Sequence, residues 1–396
     1  MEERLTDILS VKQYSLGFLS RIYRDSEEIS RLMTTRQGKR LLINVLPGYV
    51  IGEIFWQQSS RTFHSFASAG HRLGAQVVAE RGVYNEEKKR WELLFSSETK
   101  DAWLEDEAKS WASCYDLLIL RTPPDIEIRY LVDNLRDFGY QVPFINAGDG
   151  PREHATQTLI DGFALLQGLG LNFDSDHGKL KGRTVAFIND GNARVVKSLA
   201  WFLAKYFKMN LAFSSKPGLE VSQEFIAELR QECPDVDITE SHELVRADAY
   251  YVVRNQTEYG VSQDCFSVTR QVADKYEVKA ILHPFPRSKH GNELPIWLPN
   301  DPQTHSVSPD KDPRAMYLYQ MKIAIPIRMA LLKYLLNPDL DLKKLQEERL
   351  VREIRSQCVS CKRIEYQEVG WTENPPQCGY IQTIPHIFCP KCQPKK

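Results

Sequence analysis

The sequence predicts an α/β protein with two doubly wound parallel-sheet domains and a small cysteine-rich unit at its C-terminus. Short apolar runs typical of buried parallel strands alternate with amphipathic helical segments, and this alternation begins a second time near residues 146–160. Five of the eight cysteines lie at or beyond Cys358, which sets the end of the chain apart. A chain of 396 residues also has the length of two or three ordinary domains.

The first predicted domain covers residues 1–150 and begins with a helix-rich stretch over 5–35. Strands are predicted at the short apolar runs 41–46, 49–56, from Val77 onward, 116–121 and 144–150. Segments 62–73 and 103–113 have the apolar spacing of helices. An apolar helix within 318–340 is expected to complete this domain.

The second predicted domain covers residues 151–317 and opens with a linking helix over 156–168. Its predicted strands are 184–190, 211–214, 249–254 and 279–284, with a helix over 194–206. The stretch 288–312 contains four prolines and is expected to be a long surface loop. A connector helix over 341–356 is predicted to lead to a final unit at 357–396.

The composition excludes several classes of protein. Hydrophobic residues make up 42% and charged residues 26% of the sequence, which is ordinary for a soluble globular protein. Lys and Arg number 51 against 52 Asp and Glu, so the chain lacks the basic excess of nucleic-acid-binding proteins. No apolar run approaches the roughly 20 residues that span a bilayer, and the N-terminal residues lack a signal-peptide profile. We therefore expect a cytoplasmic enzyme with no membrane or nucleic-acid partner.

A group of hydroxyl side chains and one arginine lies between a predicted strand and a predicted helix. Ser59, Ser60, Arg61 and Thr62 follow the strand at 49–56. A helix N-terminus presents unpaired N–H groups and a positive dipole end, so this turn fits an oxyanion or a phosphate. The alternative is a plain helix cap, because Ser and Thr are among the commonest capping residues.

Two further motifs also follow predicted strands. His154 and Gln157 are three residues apart, so on a helix they share a face. His283-Pro-Phe-Pro contains two prolines that fix a rigid, non-helical turn. Read separately, the histidine fits an ordinary satisfied polar residue, and the proline segment fits a structural turn.

Three arginines occupy the ends of predicted elements. Arg121 and Arg254 each end a strand, and Arg194 begins a helix. In open α/β sheets, ligands bind outside the carboxyl ends of the strands. Three arginines and the Ser59–Thr62 turn in such places would suit substrates rich in negative charge.

Taken in chain order, these segments resemble the aspartate/ornithine carbamoyltransferase family from about Leu5 to Leu340. The family's motifs fall at Ser59–Thr62, Ser96 and Lys100, Arg121, His154 and Gln157, Arg194, Arg254 and Gln256, and His283–Pro286. The resemblance implies transfer of a carbamoyl group from carbamoyl phosphate to an amine. Position 284 is Pro, where the ornithine enzymes have Cys, and two arginines suit the two carboxylates of L-aspartate. Aspartate, in de novo pyrimidine biosynthesis, is therefore the expected substrate.

The resemblance also implies roles for individual residues. Phosphate would be held by Ser59, Ser60, Arg61, Thr62, Ser96, Lys100 and Arg121, with Ser96 and Lys100 donated by a neighbouring subunit of a homotrimer. The catalytic set would be Arg61, Thr62, His154, Gln157 and Lys100. In this set Arg61, Thr62 and His154 would polarise the carbamoyl carbonyl, Gln157 would orient the carbamoyl amide, and Lys100 would hold the phosphate. Aspartate would contact Arg194, Arg254, Gln256, Pro284 and Phe285. No catalytic cofactor is expected.

The sequence departs from the family pattern at several positions. Gln57 replaces a Glu that bridges the domains on closure, and Tyr259 replaces an Arg. Asp101-Ala102 follow Lys100 in place of the usual Gly-Glu, and the loop after Pro286 is about a dozen residues longer. Two alternatives therefore stay open, namely a carbamoyltransferase for another amine and a catalytically weak homologue that acts as a scaffold or regulatory subunit.

The C-terminal cysteines have the spacing of a zinc site. Cys358 and Cys361 form one CxxC pair and Cys389 and Cys392 another, which is the pattern of four thiolates around a structural zinc ion. Cys378 and His386, between the pairs, rank second as ligands. The unit resembles a zinc ribbon, so it would be structural or contact a regulatory or other subunit. The alternative is four incidental thiols or a redox pair.

Overall fold

The structure is a computed structural model that describes residues 4–94, 102–255, 264–289 and 292–345. Beyond residue 345 it describes four short strands and Cys392. Several residues singled out in the sequence lie outside this part of the chain, namely Ser96, Lys100, Asp101, Gln256, Tyr259, Cys361, Cys378 and Cys389.

The first sheet has five strands in the order β3-β2-β1-β4-β5. They are β1 (Val50–Phe55), β2 (Gln76–Asn85), β3 (Arg90–Leu93), β4 (Leu117–Thr122) and β5 (Phe144–Asp149). All neighbours are parallel except β3, which pairs antiparallel with β2. The helices of this region are α1 (Leu16–Met33), α2 (Arg36–Leu42), α3 (Ser60–Arg72), α4 (Leu104–Cys114) and α5 (Ile128–Asp137).

The second sheet has five parallel strands in the order β10-β9-β6-β7-β8. They are β6 (Thr184–Ile188), β7 (Asn210–Ser214), β8 (Ile238–Ser241), β9 (Ala249–Val252) and β10 (Ala280–Leu282). The helices here are α7 (Phe173–Asp176), α8 (Arg194–Phe202), α9 (Gln223–Glu232), α10 (Arg270–Lys275) and α11 (Pro302–Val307). The predicted α/β fold with two parallel-sheet domains is therefore confirmed.

Two long helices join the sheets. Helix α6 (Ala155–Gly168) links them in sequence, and α12 (Tyr317–Leu336) returns from the second region to pack against α1, α3 and α6. Both helices are apolar on nearly every face, and one hydrophobic cluster contains residues of both sheets and both helices. Burial of this continuous apolar surface holds the two sheets together.

Two local predictions were wrong or incomplete. The strand expected at 41–46 is the end of α2 and a following turn, because Leu41, Leu42, Val45 and Leu46 bury at helical rather than alternating spacing. The long loop 288–312 contains α11 and has buried side chains, among them Glu293. Its prolines suggested surface exposure, whereas its buried polar contacts anchor it.

The predicted connector helix agrees with the structure at its first residues but not at its last ones. A helix was expected over 341–356, and residues 342–345 are helical, but β11 (Ile354–Cys358) is a strand. The other strands are β12 (Ile364–Tyr366), β13 (Gly370–Trp371) and β14 (His386–Ile387), in the order β13-β12-β11-β14. Within the described residues, no helix is both long and apolar enough to cross a membrane.

Candidate active site

A cleft of about 1180 Å³ lies between the two sheets, at the carboxyl ends of their strands. Its walls come from the segments that follow β1, β4, β5, β6, β9 and β10, and from one side of α12. Eleven of the predicted site residues line it, namely Ser59, Ser60, Arg61, Thr62, Arg121, His154, Gln157, Arg194, Arg254, Pro284 and Phe285. This is the place where open α/β sheets bind ligands.

The turn after β1 presents polar groups that the helix does not use itself. Ser59 is the N-cap residue of α3, but its side chain makes no capping hydrogen bond. The hydroxyl and the first N–H groups of α3 therefore remain free for an anion, and the capping alternative does not hold for Ser59. Arg61 donates a hydrogen bond from Nη2 to the Phe285 carbonyl on the opposite wall. Burial and the nearby Arg254 lower the pKa of Arg61 from its usual value.

Two arginines from opposite walls converge at Gly148. Arg121 Nη1 donates to the Ala147 carbonyl at 3.1 Å, and Arg194 Nη1 donates to the Gly150 carbonyl. A Cβ on Gly148 would lie 2.5 Å from Arg121 Nη1 and 3.2 Å from Arg194 Nη2. Its φ of 128° is also one that residues with side chains rarely adopt. Glycine at this position lets both guanidinium groups approach the cleft floor.

His154 is a neutral imidazole in an arginine-rich setting. It is buried at the N-terminus of α6, and its Nδ1 has no hydrogen-bond partner among the described residues. Burial, and then the positive charges of Arg194 and Arg121, lower its pKa well below the usual value. It can therefore donate or accept a hydrogen bond without carrying charge.

The turn after β10 is held from beneath by its own histidine. The Phe285 N–H donates to His283 Nδ1 at 2.8 Å, so the imidazole proton is on Nε2. Nε2 lies 3.4 Å from Oε1 of Glu293, and both side chains are completely buried. Phe285 has a φ of 52°, an unusual conformation for a large side chain. The histidine and Arg61 hold the two backbone polar groups of Phe285 in place.

Three residues that line the cleft or support its walls were not identified from the sequence. Gln320 and Arg328, both on α12, line the cleft. Arg328 is buried, donates to Ser65 Oγ, and has its pKa lowered to about 9, chiefly by burial. Arg328 is the single arginine of a mainly apolar helix, and this was the available signal. Glu293 lies in a proline-rich loop, where no sequence pattern marks a buried carboxylate.

The cleft is strongly electropositive. Arg61, Arg121, Arg194, Arg254 and Arg328 line it, and its described lining contains no Asp or Glu. Such a site attracts anions, and arginine recognises phosphate and carboxylate groups by paired hydrogen bonds. The arrangement fits two anionic substrates bound side by side.

Family models match both halves of the chain. The aspartate/ornithine carbamoyltransferase carbamoyl-P binding domain matches residues 6–167, and the Asp/Orn binding domain matches residues 181–335. The chain belongs to the aspartate/ornithine carbamoyltransferase family. The predicted resemblance is confirmed for these residues, and the expected enzyme class, a transferase, is confirmed with it.

Several relatives of this chain are named aspartate carbamoyltransferases. The chloroplastic aspartate carbamoyltransferase of Arabidopsis thaliana is 32% identical over 346 residues, which cover 84% of this chain and 78% of that protein. The aspartate carbamoyltransferase catalytic subunit of Methanothermobacter thermautotrophicus is 29% identical, and the match covers 84% of this chain and 96% of that protein. The structure of aspartate transcarbamoylase from Trypanosoma cruzi, solved with aspartate and phosphate, matches with a TM-score of 0.66 and 27% identity. The match covers 83% of this chain and 96% of that structure's chain. These similarities confirm the predicted choice of aspartate carbamoyltransferase within the family.

Proposed function

We propose that this carbamoyltransferase cleft transfers the carbamoyl group of carbamoyl phosphate to L-aspartate, giving N-carbamoyl-L-aspartate and phosphate for de novo pyrimidine biosynthesis. The observation that carries the proposal is a cleft with five arginines and no described carboxylate, whose walls come from both sheets. A Trypanosoma cruzi relative was solved with carbamoyl phosphate and aspartate bound, which supports the same substrate pair here.

The phosphate subsite lies at the turn after β1. Ser59, Ser60, Thr62 and the N-terminus of α3 supply donors, and Arg61 and Arg121 supply positive charge. Ser96 and Lys100 complete this subsite from a neighbouring subunit of a homotrimer. These two residues and the trimer are part of the proposal.

The carbamoyl carbonyl lies between Arg61, Thr62 and His154. Negative charge grows on its oxygen as the amine attacks, and donors fixed in advance stabilise that charge. His154 suits this role because it is neutral and its Nδ1 has no described partner. Gln157 donates from Nε2 to Asp161 at 2.7 Å, which leaves its Oε1 to accept from the carbamoyl NH₂ group.

The aspartate subsite lies on the opposite wall. Arg194, Arg254 and Gln256 bind the two carboxylates, and the backbone at Pro284 and Phe285 contacts the amine. The amine nitrogen forms the new C–N bond, and the bond from carbon to the phosphate oxygen breaks. We assign the amine proton to the departing phosphate, because the described lining of the cleft contains no carboxylate to accept it. Catalysis then consists of positioning and electrostatic stabilisation.

The C-terminal unit completes the proposal with a structural zinc ion. Cys358, Cys361, Cys389 and Cys392 would hold it, and it would stabilise a unit too small for a core of its own. The pairing of Cys358 with Ile387 supports this, because Ile387 precedes Cys389 by two residues in the sequence. The unit would serve as a structural element or a subunit contact.

We further propose the domain division predicted from the sequence, with residues 1–150 and 318–340 forming the carbamoyl phosphate domain and 151–317 the aspartate domain. A cytoplasmic location stays a prediction, and the plant relative is chloroplastic. No catalytic cofactor is proposed.

The proposal is tested by a colorimetric assay for ureido product with carbamoyl phosphate and either L-aspartate or L-ornithine. Turnover is expected with aspartate alone. Arg61→Ala and His154→Ala should each lower this turnover by at least about 10²-fold while leaving the protein folded. Absence of product with both amines, in folded wild-type protein loaded with zinc, would contradict the proposal and favour the scaffold alternative or another amine.

A further inference from the structure

A single buried carboxylate, Asp161, accepts hydrogen bonds from three elements beneath the cleft. Its Oδ1 accepts from Gln157 Nε2 at 2.7 Å and from Gln320 Nε2 at 2.5 Å, while Oδ2 accepts from Tyr251 Oη at 2.6 Å. Gln157 lies on α6, Gln320 on α12 and Tyr251 on β9. An ionised carboxylate suits this position because it has two acceptor oxygens and no donor.

These hydrogen bonds fix the direction of both glutamine amides. Each Nε2 is engaged by Asp161, so each Oε1 points elsewhere. Gln320 Oε1 accepts from the His283 backbone N–H at 3.0 Å, and His283 Nδ1 accepts from the Phe285 N–H at 2.8 Å. One carboxylate is thus connected to the turn that carries Phe285.

Asp161 acts on the cleft only through the side chains that it holds. It is 1% exposed and does not line the cleft, whereas Gln157, Gln320 and Phe285 do. Gln157 belongs to the carbamoyl subsite and Phe285 to the aspartate subsite of the proposed reaction. The hydrogen bonds through Asp161 therefore form a continuous connection between the two subsites.

We propose that Asp161 is a positioning residue that aligns the Gln157 amide and the Phe285 turn with each other. The inference rests on the proposed function, because that function assigns the two subsites. A rotated Gln157 amide would present NH₂ where the carbamoyl NH₂ needs an acceptor, so this alignment affects both binding and turnover. Small errors in the placement of two reactants cost large factors in rate.

The test compares the wild type with Asp161→Asn and Asp161→Ala in the ureido assay. Asp161→Asn replaces the carboxylate by a neutral acceptor and should lower kcat about 10-fold. Asp161→Ala removes the acceptor and should lower kcat about 100-fold. Both KM values should rise, because both subsites lose their alignment. Inhibition by inorganic phosphate should stay within about twofold of wild type, since the Ser59–Thr62 turn is built from β1 and α3.

Two adjacent tyrosines on β9 provide a matched control. Tyr251→Phe removes one hydrogen bond to Asp161 and should lower kcat about threefold. Tyr250→Phe removes a hydrogen bond from Oη to the Val245 carbonyl, 2.6 Å long, and should leave kcat and both KM values unchanged. Each variant loses one hydrogen bond of a buried tyrosine, so a comparison of their Tm values separates folding from positioning.

Wild-type kcat and KM values in folded Asp161→Asn would overturn the proposal, even if Asp161→Ala does not fold. A lower Tm with unchanged kinetics would do the same, because that is the result of a purely structural role. If the wild type makes no ureido product, the proposed function fails instead. Calorimetric measurement of N-(phosphonacetyl)-L-aspartate binding then tests the proposed role of Asp161. Weaker binding by Asp161→Asn than by Tyr250→Phe supports that role, and equal binding overturns it.

Discussion

The two walls of the cleft are built in different ways. The wall that follows β1 takes its binding groups from a short local segment, Ser59–Thr62, at the junction of one strand and one helix. The wall that carries Phe285 depends on partners far away in sequence, because His283 is held by Gln320 and lies against Glu293. A local turn keeps its geometry by itself, whereas the second wall is only as precise as its buried polar contacts.

This difference suggests a division of labour between the walls. The phosphate is a compact, highly charged group that a helix N-terminus and arginines bind without fine adjustment. The amine must reach the carbamoyl carbon at a defined angle and distance, which requires a rigid supporting structure. Substitutions in the two walls should therefore have different kinetic signatures.

Arg61→Ala should have the largest effect, because Arg61 belongs to the first wall and donates to the Phe285 carbonyl on the second. It removes a positive charge from the developing oxyanion and one support of the Phe285 turn. We expect kcat to fall by at least about 10³-fold, in line with the loss of an oxyanion donor. Steady-state kinetics measures this, with Arg61→Lys as the control that keeps the charge. A loss below tenfold in Arg61→Ala would remove Arg61 from the catalytic set.

His154→Ala should lower kcat by about 10²- to 10³-fold through the loss of a neutral donor. Because burial lowers the pKa of His154 well below its usual value, the wild-type rate should show no titration of this group near pH 6.5. A pH profile of kcat checks this point. His154→Gln, which keeps a neutral donor, should recover part of the loss. An inflection near pH 6.5 that disappears in His154→Ala would show instead that this histidine ionises in the working range.

The first wall was largely predictable from the sequence, whereas for the second wall the lining residues were predicted and the buried residues that support them were not. Ser59–Thr62, Arg121 and His154 form short motifs next to strands, so their chemistry and position follow from local pattern. Glu293, Gln320 and Arg328 act through contacts between distant segments, which no local spacing reveals. Asp161 is intermediate, because it follows Gln157 by one helical turn and could have been placed on the same face.

The same contrast explains the fold predictions. Buried parallel strands such as β4 and β9 are continuous apolar runs, so the two sheets were predicted correctly. The edge strands β3 and β8 have polar residues at half or more of their positions and gave no such signal. The run at 41–46 was equally apolar but proved helical, because short apolar runs do not distinguish a strand from a buried helix.

Glu293→Gln probes the support of the second wall. The carboxylate lies beside the buried His283 imidazole, and the charge of Glu293 stabilises the Nε2 proton that the Phe285 contact requires. We expect KM for aspartate to rise about tenfold, with phosphate inhibition unchanged. Asp310→Asn is the matched control, because Asp310 anchors the same loop through Arg287 and Tyr317 without contacting His283. Equal kinetics in the two variants would assign the effect to loop anchoring rather than to the histidine.

Acid should weaken the alignment that depends on Asp161. Burial raises the pKa of Asp161 from 3.8 to about 6, although the three hydrogen bonds and Arg328 oppose this shift. Below about pH 6 the protonated carboxyl loses acceptor capacity, so kcat should fall toward lower pH, and Asp161→Asn should not show this fall. Since the folded state binds this proton more tightly, the contribution of Asp161 to the free energy of unfolding decreases as pH rises from about 4 to 6. A pH profile of kcat that is identical in wild type and Asp161→Asn would contradict the assignment.

The C-terminal unit should have the smallest effect on the cleft, because neither wall includes a described residue beyond Arg328. We expect about one zinc ion per chain by elemental analysis, and Cys358→Ser should lose it. If the zinc is structural, its removal by a chelator should unfold only this unit and change kcat by less than about twofold. Limited proteolysis would then cut the chain beyond residue 345 while the two-sheet body stays intact. A large loss of kcat on chelation, reversed by zinc, would show that the unit supports the cleft, most directly through the trimer that we propose to supply Ser96 and Lys100.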